Sequence, residues 1–324
     1  MPSQRRKFIY RSIKTNLKIW VKFLLGRKEH VAGNRFINAK EEVVLQTLDK
    51  VFEGYKKYGS FNKADIIGKR ILEIGPGDSF GVGLKFLFSG ARSVVFFDKF
   101  YARRDEHLLK KVYQEMLLGQ EKYRFENLFD NALLPKNKWK YIYGKGIEEI
   151  NKKKDTELYQ EPFDYIVSNQ VIQEIYSLKL AFKKMIDLLA AGGKMVHHID
   201  FEPYNYFRYH LDKEYDFLTF SEITYKWMVN KRGMSNRKRI NEYINILDSF
   251  KNIKYQFFVY SCFLDKIKMD QEHIIYPNFP KKIRDYYEPV ISEQKPNFAG
   301  KYKHLPLENF MVGNTYLVIE KIDA

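Results

Sequence analysis

Two carboxylates and two glycines between residues 73 and 98 have the types and spacing of a nucleoside-binding site. Glu73 lies in a short apolar run that ends at Gly75-Pro76-Gly77, and a second apolar run ends at Asp98, about twenty residues after the turn. A strand, a glycine turn and a helix in this order form a cofactor-binding opening, and an acid that ends the next strand is placed to accept from ribose hydroxyls. The spacing therefore predicts a cofactor that contains ribose.

The same turn disfavours a dinucleotide. A pyrophosphate-binding turn has the pattern G-x-G-x-x-G, whose last glycine lets the helix and the strand approach closely. Phe80 stands at that last position. The residues thus predict ribose without pyrophosphate.

Residues that could move a proton follow two later apolar runs. Asn169 follows the first run, and His198 and Asp200 end the second. Consecutive strand residues point to opposite faces, so His197 and His198 cannot both face one site. A neutral histidine in reach of a hydroxyl can act as a general base, and Asp200 could orient that histidine. We therefore take His198 and Asp200 as catalytic candidates.

Glu174 is a third catalytic candidate. It lies in the turn that follows Asn169, where a carboxylate could orient a cofactor or take a proton. Acids also suit the first turn of a helix, so a solvent-facing Glu174 without a catalytic role is the alternative.

The elements that must position these residues are predicted from hydrophobic periodicity. Short apolar runs alternate with helical patterns, which is typical of an α/β fold with a parallel sheet. After the glycine turn we predict a helix over residues 80–88, with Asp78 or Ser79 as its N-cap and Gly90 at its end. The other predicted elements are a helix over residues 38–58 and strands over residues 71–74, 93–97, 139–143, 165–168, 253–260 and 315–320.

Three blocks of the sequence resemble class I S-adenosylmethionine (SAM)-dependent methyltransferases. They are residues 69–79 (KRILEIGPGDS), 162–175 (PFDYIVSNQVIQEI) and 188–201 (LLAAGGKMVHHIDF). The resemblance implies a Rossmann-like sheet of seven strands, all parallel but one, with helices on both faces and SAM at the carboxyl ends of the strands. It implies N-terminal basic and cap helices in residues 1–60 and a methyltransferase domain in residues 61–324, with an insertion at about residues 262–312.

The resemblance also assigns a cofactor site. The residues it implies are Glu73, Gly75, Gly77, Asp98, Gly146, Ile147 and Asn169. Gly146 and Ile147 would flank the adenine. The carboxylate that is usual at their turn is absent, and Lys145 stands near its position.

The chain from His198 onward is similar to a bacterial branch of these enzymes, many of which modify cell-surface polysaccharides or sugars. The similarity lies in residues 198–200, 217–221, 227–228, 236–239 and 243. That branch typically continues with a second Asp and a His, where this chain has Pro203 and Tyr204, so those two roles do not carry over. We consider His210 as a substitute in the acceptor site.

Arg237 and Arg239 are predicted to bind a carboxylate or phosphate of the acceptor. Guanidinium groups bind planar oxyanions in fork geometry, which suits this role. A solvated basic turn is the alternative interpretation.

The chain is strongly basic, with a net charge of +16 and a pI of about 9.4 over 324 residues. Such a balance favours acidic partners, although an ordinary lysine-rich surface is the other interpretation. Residues 8–25 predict a basic amphipathic helix that either binds an anionic membrane surface or packs on the catalytic domain. Its apolar residues are Ile9, Ile13, Leu17, Trp20 and Leu24, and its basic residues are Arg11, Lys14, Lys18 and Lys22.

The favoured function is methyl transfer to a hydroxyl of a bacterial surface glycan or its precursor. The alternatives are an RNA methyltransferase, which the net charge would suit, and a non-catalytic SAM-fold scaffold. Nucleic acid is the less favoured partner, because no RNA-binding appendage is recognisable. Nothing in the sequence requires a metal. The single cysteine, Cys262, and the use of SAM agree with a cytoplasmic protein, with peripheral association at the inner face of the membrane left open.

Overall fold

A mostly parallel sheet lies at the centre of the chain. The computed structural model describes residues 2–25, 35–117, 138–203, 207, 211–229 and 236–322. Its strands are β1 (Arg70–Ile74), β2 (Ser93–Asp98), β3 (Trp139–Tyr143), β4 (Phe163–Asn169), β5 (Leu189–Asp200), β6 (Ile253–Cys262), β7 (Ile274–Ile275) and β8 (Val312–Lys321). Within the described residues they form one sheet in the order β3-β2-β1-β4-β5-β8-β6-β7.

The strand directions confirm the expected Rossmann-like arrangement with a mostly parallel sheet. β1 to β5 pair in parallel, and β8 lies antiparallel between β5 and β6. The predicted number of seven strands was wrong, because β7 adds an eighth at the edge of the described sheet. β7 pairs only through Ile274 and Ile275, and two residues are too few for an alternating pattern to reveal a strand.

Helices cover both faces of this sheet. They are α1 (Pro2–Leu24), α2 (Glu41–Gly59), α3 (Lys63–Ile66), α4 (Gly81–Phe88), α5 (Glu106–Leu117), α6 (Thr156–Tyr159), α7 (Leu178–Leu188), α8 (Glu222–Val229), α9 (Ile240–Leu247), α10 (Lys281–Gln294), α11 (Gly300–Lys303) and α12 (Glu308–Met311). The pleat of β1 sends Ile71 into one apolar layer and Leu72 into the other. The first layer contains α2, α4 and α5, and the second contains α1 and α7 to α10.

The N-terminal helix α1 packs on the domain through one side. Phe8, Ser12 and Asn16 are buried at steps of four residues, and the Asn16 side-chain amide donates to the Trp227 carbonyl of α8 at 2.8 Å. Packing on the domain, one of the two predicted alternatives, is therefore observed for this side of α1. Among the described residues, no helix has the length and hydrophobicity needed to cross a bilayer.

The residues between β6 and β8 return the chain along the edge where the parallel strands end. They contain β7 and helices α10 to α12, and most of their large aromatic side chains are buried in the second apolar layer. Phe298, Tyr302 and Phe310, for example, are fully enclosed. Hydrophobic packing thus accounts for these aromatic residues.

Candidate active site

The glycine turn lies at the carboxyl end of β1 and has a backbone that favours glycine. Gly75 and Gly77 have φ angles of +70° and +63°. A Cβ on Gly75 would lie 2.2 Å from Val171 Cγ2, whereas a Cβ on Gly77 would meet no atom within 4 Å. The glycine turn is therefore closed at Gly75, against the turn that follows β4, and open at Gly77, where a ligand has room.

Asp98 lies directly beside this turn. Its Oδ2 accepts from the Gly77 amide at 3.3 Å, and its Oδ1 accepts from the Phe100 amide at 3.1 Å. Burial raises the pKa of Asp98, and these two amides and the nearby Arg104 guanidinium offset part of the shift. The predicted glycine turn and the predicted ribose-binding acid are thus brought together at one edge of the sheet.

Arg104 supports the turn, and sequence reasoning missed it. Its guanidinium donates to the Gly77 carbonyl at 2.9 Å and stacks on the Phe80 ring, 4.0 Å from the ring centre. Phe80 occupies the place of the absent third glycine, so its ring contributes to the site by carrying this arginine. The only signal in the sequence was a basic residue shortly after β2.

Glu73 is buried below the turn without a full set of hydrogen bonds. Burial raises its pKa to about 8, and the Gly83 amide lowers it only in part. Its Oε2 has no hydrogen-bond partner among the described residues, and the same holds for the buried Tyr55 hydroxyl. The charge of Glu73 adds to the raised pKa of Tyr55, so the two groups lie near one another. These two buried polar atoms lie against α4, the helix that follows the turn.

Asp78 does not cap α4, although the sequence offered it for that role. Its Oδ2 accepts from the Phe36 amide at 2.7 Å and so attaches the segment before α2 to the glycine turn. Ser79 is not the N-cap either, because that position is held by Phe80, which has no side-chain cap. The Ser79 Oγ accepts from the Gly81 amide at 3.1 Å from one residue before the N-cap. The chain just before α2 is therefore held against the glycine turn, and the cap role implied for residues 1–60 stays a prediction.

The predicted adenine-flanking residues follow β3. Ile147 is buried, and the Gly146 amide donates to Glu149 Oε2 at 2.9 Å. Lys99, next to Asp98, forms ion pairs with Glu148 and Glu149 at 3.1 and 3.3 Å. Glu148 and Glu149 thus bind Lys99 and the Gly146 amide, and the adenine-flanking role of Gly146 and Ile147 stays a prediction.

His198 lies at the same edge and has contacts at both ring nitrogens. Nδ1 is 2.5 Å from Asn169 Oδ1, across the β4–β5 register that pairs the two residues. Nε2 contacts the Tyr260 hydroxyl and lies 3.2 Å from Asn314 Oδ1. The tautomer with its proton on Nδ1 donates to Asn169 and leaves the Nε2 lone pair facing Tyr260.

The surroundings of His198 keep it neutral at physiological pH. Burial lowers its pKa to about 4, and the positive charges of Lys50 and Arg35 add to the lowering, whereas Asn314 opposes it. The ring stacks on Tyr316, with centroids 5.2 Å apart. A neutral imidazole can accept a proton, which the predicted role requires.

His197 points to the other face of the sheet, as the strand geometry predicted. Its Nδ1 is 2.8 Å from Ser168 Oγ, and it is fully buried beside Phe182 of α7. Burial lowers the pKa of His197 to about 3. The two adjacent histidines therefore have different surroundings, and only His198 shares a face with Glu73 and Asn169.

The other two catalytic candidates lie at the end of β5 and in the turn after β4. Asp200 ends β5, and its Oδ1 accepts from the Glu202 amide at 2.8 Å. Its negative charge contributes to the raised pKa of Tyr260. Glu174 is half-buried at the end of a 3-10 turn, Ile172–Glu174, rather than fully exposed to solvent. Both roles stay predictions.

Gln170 has a backbone conformation that is uncommon for its residue type. Its φ is +56°, and its amide donates to the His198 carbonyl at 2.9 Å. An amino acid other than glycine held in this region stores strain, which clusters at binding sites. The polar turn after β4 is thus fixed to the strand that carries His198.

The two predicted acceptor arginines are enclosed in the protein. Arg237 donates to the Phe217 and Phe220 carbonyls at 2.8 and 2.9 Å, and Arg239 donates to the Phe201 carbonyl at 2.7 Å. Both side chains are fully buried, so the interpretation of these residues as a solvated basic turn is wrong. An acceptor anion could reach them only by displacing these internal bonds. His210 lies outside the described residues.

A cleft lies where the chain after β5 meets the β6–β8 insertion. It has a volume of about 350 Å³, within the range of ligand sites. Its lining residues include Pro203, Phe207, Phe217 and Leu264. The Leu264 amide donates to Glu202, two residues after Asp200, so the cleft lies near the carboxyl end of β5.

Comparisons with known proteins give weak resemblances. Neither a protein-family model nor a curated protein matches the chain. Phosphoethanolamine N-methyltransferase 2 of Haemonchus contortus, solved with S-adenosyl-L-methionine, is 14% identical over 85% of this chain and 53% of its own, with a TM-score of 0.41. This chain therefore spans about half the length of that protein.

Two further solved structures are similar over most of both chains. A SAM-dependent methyltransferase of Mesorhizobium loti is 12% identical over 85% of this chain and 100% of its own, with a TM-score of 0.44. An rRNA methylase of Streptococcus thermophilus is 15% identical over 86% of this chain and 95% of its own, with a TM-score of 0.34. Sequence identities and TM-scores this low assign no substrate to this chain.

Proposed function

We propose that the chain is a SAM-dependent methyltransferase that acts on a hydroxyl group. The observation that carries the proposal is the contact between Asp98 and the Gly77 amide, which unites the predicted ribose-binding acid with the glycine turn. Neither residue could contribute to a nucleoside site alone. Their meeting at the carboxyl end of a parallel sheet is the arrangement that binds such cofactors.

The residues present fit SAM. The open side of Gly77 leaves room for it, and the unpartnered atoms of Glu73 and Tyr55 offer polar groups nearby. Asp98 would hold the ribose hydroxyls, Gly75 and Gly77 would lie against the amino-acid portion, and Gly146 and Ile147 would flank the adenine. When bound, SAM supplies an electrophilic methyl group on its sulfonium.

The chain's own contribution to the reaction is alignment and removal of a proton. Protein groups accelerate such a transfer chiefly by holding the acceptor oxygen in line and excluding water. His198 would accept a proton at Nε2 through the Tyr260 hydroxyl, which contacts this atom: Tyr260 would pass its own proton to Nε2 as it takes the proton of the acceptor hydroxyl. Asn169 would hold the ring, because its Oδ1 faces Nδ1.

The acceptor we favour is a surface glycan or its lipid-linked or nucleotide-linked precursor. The cleft beside Pro203 and Leu264 has the size of a ligand site and both polar and apolar lining. Lys50 and Arg35 act electrostatically on His198, so a phosphate near the acceptor hydroxyl would find positive charge there. Arg237 and Arg239 are left out of this proposal, because their guanidinium groups already bond within the protein.

The first experiment is calorimetric titration with SAM and with S-adenosylhomocysteine. Gly77→Arg should abolish binding, because the new side chain would fill the open side of the turn. Gly192→Arg is the matched control, since Gly192 has a φ of +67° and equally open surroundings at the start of β5. No binding to the unmodified protein would overturn the proposal in favour of a non-catalytic scaffold.

An acceptor screen then separates the proposed substrate from RNA. RNA is the second candidate because the net charge of +16 favours phosphate contacts. Methyl transfer to sugar nucleotides or lipid-linked sugars would support the glycan proposal. Transfer to RNA alone, together with nucleic acid retained through high-salt purification, would contradict it.

A further inference from the structure

The exposed side of α1 carries two parallel rows of side chains. One row, here called the apolar stripe, comprises Tyr10, Leu17, Trp20, Val21 and Leu24, which are 41% to 65% exposed. The other, here called the basic row, comprises Lys7, Arg11, Lys14 and Lys18, all exposed. Within each row the spacing of three, four or seven residues keeps the members on one side of the helix. The buried side of α1 is separate from both.

A second helix adds exposed apolar groups beside the apolar stripe. Ile223 and Trp227 of α8 are 73% and 53% exposed, and they lie four residues apart on one side of that helix. The Trp227 carbonyl accepts from Asn16, which is one helical turn before Trp20. The exposed apolar surface therefore extends from α1 to its neighbour.

The charge of α1 indicates what covers this surface. The helix contains no acidic residue. A second copy of the chain would bring two basic rows together, which disfavours self-association through this side. Nucleic acid would use the basic row but has no use for a stripe of exposed aliphatic and indole side chains. An anionic bilayer surface uses both, since its head groups attract lysine and its acyl boundary takes up the apolar groups.

We propose that α1, together with Ile223 and Trp227 of α8, binds the surface of an anionic membrane. The buried side of α1 holds the helix to the domain, and the apolar stripe enters the interface while the basic row remains among the head groups. Trp20 and Trp227 then lie at the depth that indole rings prefer.

If the chain has the proposed function, this orientation also bears on which acceptor it uses. Phe8 of α1 packs edge-on against Phe207, with centroids 5.7 Å apart, and Phe207 lines the cleft after β5. Membrane binding through α1 would bring that cleft close to the bilayer. It would thereby favour an acceptor carried on a lipid.

The test is flotation of the purified full-length chain with vesicles. Vesicles of phosphatidylcholine with phosphatidylglycerol should bind it at about 0.15 M salt, and vesicles of phosphatidylcholine alone should not. Leu17→Glu/Leu24→Glu should reduce the bound fraction roughly tenfold or more, and Lys14→Glu/Lys18→Glu should do likewise. Val43→Glu/Ile67→Glu, which changes two other exposed apolar residues, should leave binding intact.

A fluorescence measurement keeps the proposal testable if a double variant fails to fold. In Trp139→Phe, the remaining indoles are Trp20 and Trp227, and their emission should move to shorter wavelength when anionic vesicles are added. Absence of vesicle binding in the unmodified chain would overturn the proposal. So would unchanged vesicle binding of a folded Leu17→Glu/Leu24→Glu variant, because charge alone would then explain the attraction. Neither result depends on methyltransferase activity.

Discussion

The two halves of the candidate active site are built in different ways. The donor half, comprising Glu73, Gly75, Gly77, Asp98 and Arg104, comes from one β-α-β unit and the segment that follows it, and much of it is held by backbone amides. The acceptor half, comprising Asn169, His198, Tyr260 and Asn314, comes from four strands and is held by side chains. His198 and Asn314 are 116 residues apart in sequence.

The local sequence therefore determines one part of the site more than the other. The donor half needs only a strand, a turn and the next strand, so its spacing is visible in one short segment. The acceptor half exists only because β8 inserts between β5 and β6, which aligns Tyr316 with His198 and brings Tyr260 to the same ring. If the halves are functionally separate as well, each substitution should affect binding of the donor or turnover, but not both.

The largest effect is expected for His198→Gln. Loss of the general base should lower kcat by roughly 100- to 10,000-fold while the SAM dissociation constant stays within a few-fold. Calorimetry and a methyl-transfer assay on the same preparation measure the two quantities. His197→Gln is the control on the opposite face, expected to lower stability but to keep turnover. If His198→Gln also lost SAM binding, the donor and acceptor halves would not be functionally separate.

The next largest effect is expected for Asp98→Ala. Removing a carboxylate that binds two ribose hydroxyls costs about 1.5 kcal/mol or more per bond, so SAM affinity should fall roughly 100-fold. Asp164→Ala is the matched control, because Asp164 bonds to Lys69 and the Arg70 amide at the amino end of β1. Titration calorimetry compares the two variants. Equal loss of SAM affinity in both would mean that general destabilisation, rather than a missing ribose contact, explains the result.

A pH profile tests whether His198 is the base, because a lowered and an ordinary histidine pKa predict rates at pH 5.5 that differ about tenfold. The neutral form of His198 is needed, and its lowered pKa of about 4 keeps it neutral at lower pH than an ordinary histidine. We therefore expect kcat/KM to be level between about pH 5.5 and 7 and to fall only nearer pH 4. A histidine with an ordinary pKa of about 6.5 would retain only about a tenth of its activity at pH 5.5. If kcat/KM fell in this way in the unmodified chain but not in His198→Gln, His198 would be solvated during turnover.

The smallest effect is expected for Glu73→Gln, in thermal stability. The pKa of about 8 in the folded chain exceeds the usual 4.5, so the folded state retains a proton that the unfolded state has released between these values. The stability of the unmodified chain should therefore fall as pH rises through that window. The Tm of Glu73→Gln minus the Tm of the unmodified chain should be a few degrees larger at pH 9 than at pH 5. Calorimetric melts at both pH values check this. Glu53→Gln, at an exposed acid of α2, should show no such gain.

Much of the first half of the sheet was predictable from the sequence. The predicted strand at residues 139–143 has the observed bounds, and β1 and β2 were placed to within one residue. The helix predicted at residues 38–58 is observed as Glu41–Gly59. These elements have strong local signals, namely a continuous apolar run or a 3.6-residue period between glycine turns.

The parts that could not be predicted depend on contacts between distant segments. Tyr260 and Asn314 lie in strands whose periodicity was visible but whose register was not. Arg237 and Arg239 appeared as a polar cluster, yet carbonyls from segments up to 38 residues away bind their guanidinium groups. Composition predicts a charged surface for such residues, and only tertiary structure shows that they are enclosed.

The short strand β7 has a consequence for the edge of the sheet. It pairs with only Phe258 and Val259 of β6 and leaves no long, flat row of free backbone groups of its own. An extended strand at this position would offer a template on which strands from other chains could add, the first step of aggregation. The insertion thus covers Phe258 and Val259 in the middle of the outer side of β6 with a strand too short to propagate pairing. A deletion that removes β7 would leave a longer continuous free edge on β6 and make the chain more prone to intermolecular strand addition.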